Sequence, residues 1–121
     1  MHKLVALGGF NNNKIENFDL SSLENLNEIY GFNNNNIKSL DFSSLNKLET
    51  IGDYYDNNKT FSNNNISEIK FNDEIKKIKG FDGNIELFNK EIDIRNCVNI
   101  EEIDKEAFKD LNVKLIVPYK N

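Results

Sequence analysis

Apolar and polar positions along this chain follow a pattern that repeats. Leu7-Gly8-Gly9-Phe10-Asn11-Asn12-Asn13-Lys14-Ile15 lies over Ile29-Tyr30-Gly31-Phe32-Asn33-Asn34-Asn35-Asn36-Ile37 at an offset of 22 residues. The register continues without a gap: Phe18 over Leu40, Leu20 over Phe42, Ser21-Ser22-Leu23 over Ser43-Ser44-Leu45, Leu26 over Leu48, Ile29 over Ile51. More than thirty consecutive positions keep apolar on apolar and polar on polar, which makes this an internal repeat. A third copy opens at Ile66, 29 residues after Ile37, so seven extra residues fall within 52–65. It runs on through Ile69, Phe71, Ile75, Ile78 and Phe81, with one residue added before Ile75. A looser fourth copy carries Ile92, Ile94, Cys97, Ile100, Ile103, Ala107-Phe108 and Leu111, and Leu115-Ile116-Val117 reads as the strand of a fifth.

Within a copy, Phe18-Asp19-Leu20, Leu40-Asp41-Phe42, Ile69-Lys70-Phe71 and Ile92-Asp93-Ile94 alternate apolar and polar, as a strand with one buried face does. The apolar residues that follow come at spacings of three (Leu20, Leu23, Leu26, Ile29), too wide for a continuing strand. They suit a coil that turns corners and drops one side chain inward at each. A single coil cannot bury its own apolar side, so neighbouring coils must stack. Gly9 and Gly31 stand just before Asn runs, where turns need positive φ, and both residue types tolerate it.

Composition changes the picture at one point. Hydrophobic residues make up 38% of the 121 and mean hydropathy is −0.61, because 23 positions are Asn. Runs such as Asn33 to Asn36 can be read as polar low complexity. The regular return of Ile, Leu and Phe between them instead predicts turns whose amides bond the backbone.

The segments 37–52 and 97–108 resemble leucine-rich repeats of the BspA-like type: Ile37-Lys38-Ser39-Leu40-Asp41-Phe42-Ser43-Ser44-Leu45 onward, and Cys97 through Ile100, Ile103 and Ala107-Phe108. The terminal Ile116-Val117-Pro118 resembles that family's strand ending in proline. Asn runs replace the family's Ala-Phe-x-x-Cys segment in the early copies, and no capping repeat is present at either end. The resemblance implies a leucine-rich-repeat solenoid, mainly β, with a parallel sheet on one side and turns and short helical segments on the other. One domain over 1–121 is expected, with a partial repeat over 1–14, repeats at about 15–36, 37–65, 66–84 and 85–113, and a partial strand over 114–121. It also implies a surface or secreted setting in which such domains bind host or partner proteins.

The inventory of reactive side chains is small. His2 is the sole histidine and Cys97 the sole cysteine, too few for a nucleophile–base pair away from the N-terminus or for a zinc site. Gly8-Gly9 is a turn signal and not a phosphate loop. No enzyme activity, metal or cofactor is expected, and Cys97 is expected to be a small buried hydrophobe. Asn58-Lys59-Thr60 and Asn65-Ile66-Ser67 fit the N-glycosylation pattern, as chance allows in a chain this rich in Asn. A net charge of −5 and a pI near 4.9 argue against nucleic acid and anionic membranes, and no apolar run reaches the ~20 residues that span a bilayer. Leu4-Val5-Ala6-Leu7 is too short for a signal-peptide core, so the chain reads as cytoplasmic or as a slice of a longer precursor.

The expected function is therefore protein–protein interaction, as in adhesion or host contact, across the polar positions of the stacked strands. Asn17, Asp19 and Ser21 would lie beside Ser39, Asp41 and Ser43, followed by Glu68, Lys70 and Asn72, then Glu91, Asp93 and Arg95. Asp19, Asp41 and Asp93 would form an acidic column, broken by Lys70, that suits a basic partner. Tyr54 and Tyr55 in the insertion are either contact residues or fillers of the core position that Phe32 holds. The alternative is a self-associating solenoid fragment, a homo-oligomer stacked through uncapped ends.

Overall fold

The computed structural model describes residues 6–17, 19–52 and 59–118. They form a parallel β-solenoid of about four turns. The strands are β1 (Ala6–Leu7), β2 (Glu28–Ile29), β3 (Ser39–Asp41), β4 (Thr50–Ile51), β5 (Glu68–Lys70), β6 (Lys77–Ile78), β7 (Glu91–Asp93), β8 (Glu102–Ile103) and β9 (Lys114–Ile116). Each is two or three residues long because the coil turns again almost at once. The single helical element among the described residues is a 3-10 turn at Ile85–Leu87.

Strands occupy two places in the coil. One row, β1-β2-β4-β6-β8, is a continuous five-stranded parallel sheet, in which Leu7, Ile29, Ile51, Ile78 and Ile103 stand in register. The spacing of three does turn corners, as expected: Leu23 N–H bonds Leu20 C=O and Leu26 N–H bonds Leu23 C=O, and Phe42, Leu45 and Leu48 repeat the pair. The coil then straightens into a strand at the next apolar residue, Ile29 or Ile51, which the spacing alone did not reveal. The second row is the alternating one, and it is split into β3-β5 and β7-β9. In the first coil Asn17, Asp19 and Leu20 carry no strand, contrary to the alternation, and Phe18 lies outside the described residues. At the entry of that coil Asn36 N–H bonds Ile15 C=O and Ile15 N–H bonds Asn35 Oδ1.

The Asn runs are turns, and their order is more specific than composition indicated. Phe10, Phe32, Phe61 and Phe81 each have an Asn three residues later: Asn13, Asn35, Asn64, Asn84. The residue between, Asn12, Asn34, Asn63 or Gly83, takes a left-handed φ of 58 to 79°. That twist points the next amide inward. Asn64 Nδ2 donates to the carbonyls of Phe32 and Phe61 at 3.0 Å each, and its Oδ1 accepts from Ile37 N–H at 3.1 Å. Asn35 serves Phe10, Phe32 and Ile15 in the same way, and Asn84 serves Phe61, Phe81 and Ile66. Each buried amide thus satisfies backbone groups of two coils at once, where a corner would otherwise bury them unpaired.

Beside this ladder the rings of Phe10, Phe32, Phe61, Phe81 and Phe108 stack in a column with centroids 5.2 to 5.6 Å apart. Gly31, at φ +71°, lets the backbone pass close to the preceding coil: a Cβ there would sit 2.7 Å from Gly9 N. The seven-residue insertion returns to register at Thr60, whose carbonyl accepts Phe32 N–H at 2.7 Å. Phe61, not a tyrosine, fills the core position next to Phe32. Tyr54 and Tyr55 lie outside the described residues.

The third coil departs from its expected count. Ile78 pairs with Ile51, yet seven positions separate Phe71 from Ile78 where nine separate Phe42 from Ile51. One corner is missing and two residues are lost, so the extra residue expected before Ile75 is not there. Asn72 occupies the gap. Its side-chain amide nitrogen donates to Leu45 C=O at 3.0 Å and Leu48 C=O at 2.7 Å, and its backbone carbonyl accepts Cys97 Sγ–H at 3.4 Å.

Candidate functional site

The second strand row carries most of the polar positions singled out in the sequence. Alternation in β3 and β5 buries Leu40, half-buries Ile69, and exposes Ser39, Asp41, Glu68 and Lys70. Register sets Ser39 beside Glu68 and Asp41 beside Lys70. In β7 and β9, Glu91 lies beside Lys114, their charges 3.8 Å apart, and Asp93 beside Ile116. Asn17, Asp19, Ser21, Ser43 and Arg95 are exposed too. Asn72 is the exception. Only 2% of it reaches solvent, so it is removed from the surface set: it repairs the missing corner and cannot meet a partner.

The acidic column has a local structural task. Asp19, Asp41 and Asp93 each accept, through Oδ1, the backbone N–H two residues on: Ser21 at 2.9 Å, Ser43 at 2.9 Å and Arg95 at 3.0 Å. These are Asx turns that start the first corner after the strand. Ser43 Oγ adds a bond of 2.5 Å to Asp41, and Arg95 grips Asp93 bidentately at 3.0 and 2.7 Å. The Ser21 backbone bond holds the Asp19 carboxyl below its ordinary range, and the Ser43 hydroxyl does the same for Asp41. The Arg95 guanidinium brings Asp93 down to about 2. Lys70 cannot accept an N–H, and its coil is the one that lacks the first corner.

The row is interrupted between β5 and β7. Ser39 follows Asn35 by four positions and Glu68 follows Asn64 by four, but Glu91 follows Asn84 by seven. The three extra residues form the 3-10 turn, whose Leu87 side chain is buried at the base of the gap. β7 is thereby displaced from β5, and a cleft of about 550 Å³ opens between them. Ile69, Phe71, Leu87 and Ile92 form its apolar base; Glu68, Lys70, Lys90, Glu91 and Asp93 form its rim. Ile69 and Phe71 are half-buried, whereas Ile29, Ile51 and Ile78 in the unbroken sheet are fully buried.

The sequence did not place this cleft. The signal existed in the longer interval between the Phe-x-x-Asn unit and the Glu-Ile pair of β7. Among the described residues no group of three His, Cys, Asp or Glu is placed to hold a metal ion, and no helix is long and apolar enough to cross a membrane. Cys97 is 2% exposed, and burial pushes its thiol up to about 11. No protein-family description, no curated protein and no solved structure matches this chain.

Proposed function

We propose that this chain is a non-catalytic protein-binding solenoid whose partner lies across the interrupted strand row. One observation carries the reading. The row opens at β5 and β7 and leaves half-buried Ile69 and Phe71 beside unburied charges, while the other row buries Ile29, Ile51 and Ile78 fully. Apolar surface rimmed by charge is the usual make-up of a protein contact. The resemblance of 37–52 and 97–108 to BspA-like leucine-rich repeats supports the finer proposal of a surface or secreted protein in adhesion or host contact.

The test uses Glu68→Lys combined with Lys70→Glu. Both side chains are exposed and neither caps a turn. Proteins retained from native-cell extract by the immobilised chain should be lost on this charge swap, with the circular dichroism spectrum and Tm unchanged. Retention of the same proteins by the swapped chain would contradict the reading.

End-to-end self-association is a second reading, favoured by the two ends of the stack. Phe10 heads the aromatic column with 42% of its surface exposed. At the far end Val98, Ile100, Ile103 and Val117 line an apolar hollow of about 350 Å³. Head-to-tail stacking of this kind would generate open filaments. A sedimentation coefficient independent of concentration removes this second reading.

A further inference from the structure

This inference rests on the reading of the interrupted row as the partner surface. In a parallel ladder, alternate residues of a strand bond to opposite sides. Phe42 N–H donates to Lys70 C=O at 2.8 Å, so Glu68 and Lys70 bond back to β3. Ile69 therefore turns its N–H and C=O toward the cleft. On the other wall, Lys114 N–H donates to Lys90 C=O at 3.0 Å and Ile94 N–H to Ile116 C=O at 2.9 Å. Lys90, Ile92 and Ile94 are thus engaged with β9, and Glu91 and Asp93 aim their N–H and C=O groups at β5 across the gap. Two unpaired strand edges face each other, and such edges are templates for an added strand.

The walls also specify the chemistry of the occupant. Glu68-Ile69 and Glu91-Ile92 hold the same position in their strands and all four line the cleft, so a strand inserted in register with both walls would set the two glutamates in one cross-strand row. An outward residue of an inserted strand would lie between two carboxylates there, with Glu91 also meeting exposed Lys114 on its far side at 3.8 Å. Two residues on, it would lie between Lys70 and an Asp93 that Arg95 already neutralises. Between those positions one side chain would point inward, over the half-buried Ile69 and Phe71. A volume of about 550 Å³ falls in the range of ligand clefts, roughly 300 to 1,000 Å³.

We propose that the cleft binds an extended segment of a protein partner as an additional strand between β5 and β7, with a lysine or arginine held between Glu68 and Glu91, an apolar residue over Ile69, and an uncharged polar residue beside Lys70.

The probe is the peptide acetyl-Thr-Lys-Val-Thr-Val-Thr-amide, compared with the same peptide carrying Glu in place of Lys, and the readout is amide exchange by NMR on the full chain. The lysine peptide should slow exchange at Ile69, Glu91 and Asp93, and should bind at least about tenfold more tightly than the glutamate peptide. Glu68→Lys with Glu91→Lys should reverse that order. Equal binding of the two peptides overturns the assignment of the basic residue. If the lysine peptide perturbs Ser39 and Asp41 but not the three cleft amides, strand insertion is overturned while the row remains a partner surface. If it changes no amide, strand insertion is equally overturned, and the charge-swap capture experiment decides the broader reading by itself.

Discussion

Asn64 Oδ1 lies 3.1 Å from Ile37 N, binding the side chain of one coil to the backbone of the coil before it. The same amide reaches Phe32 and Phe61, so a single residue replaces three backbone partners at a buried corner. Leucine has the same branched outline and none of these bonds.

Asn64→Leu should therefore leave Ile37 N–H unsatisfied in the core, while the Phe32 and Phe61 carbonyls each lose one of two amide donors and keep Asn35 and Asn84. A buried polar group without a partner costs about 1 to 3 kcal/mol, and the loss should fall in that range. The exposed Asn65→Leu is the control and should change stability by less than about 0.5 kcal/mol. Urea denaturation of the two variants measures the difference.

Acid should weaken the corners over a defined window. Asp19, Asp41 and Asp93 are all depressed in the folded chain, Asp93 to about 2. A depressed carboxyl contributes stability that is complete above the unfolded value, near 4, and is lost as pH falls through the folded value. Tm should thus decline between pH 4 and about 2. The triple variant with Asn at these positions should melt below the parent at pH 6, with the gap closing toward pH 2. A gap that persists unchanged at pH 2 would contradict the ionic part of the capping.

Cys97 should be inert in the folded chain. Its thiol is buried and raised to about 11, so the reactive thiolate is scarce at neutral pH. Labelling by a water-soluble maleimide should be slow in buffer and rapid in denaturant. Rapid labelling in buffer would show that the corner beside Asn72 opens.

Much of this fold was legible before any coordinates. The 22-residue offset of Ile29 and Ile51 is the register of β2 and β4, and the seven extra residues before Ile66 are the insertion that ends at Thr60. The Asn runs were legible as turns, but not which Asn turns inward, because the runs are uniform. Phe-x-x-Asn marks it only once the left-handed residue between is known. Asn72 hid a missing corner, since a polar side chain at an apolar position reads as surface. The cleft was not legible because the three residues that Ile85–Leu87 add after Asn84 mark a longer interval and not where the strands part, which depends on the 3-10 turn and its buried Leu87. The acidic column was legible as a set of residues and not as a role, because an Asx turn depends on the backbone that follows it.

The most direct test of the account is hydrogen exchange of single amides in the unliganded chain. Phe42 and Ile94 donate into intact ladders, while Ile69 and Asp93 face the cleft between β5 and β7. Exchange should be slow at Phe42 and Ile94 and fast at Ile69 and Asp93. Equal protection at all four would mean that the strand row is continuous, and would contradict both the cleft and the partner surface built on it.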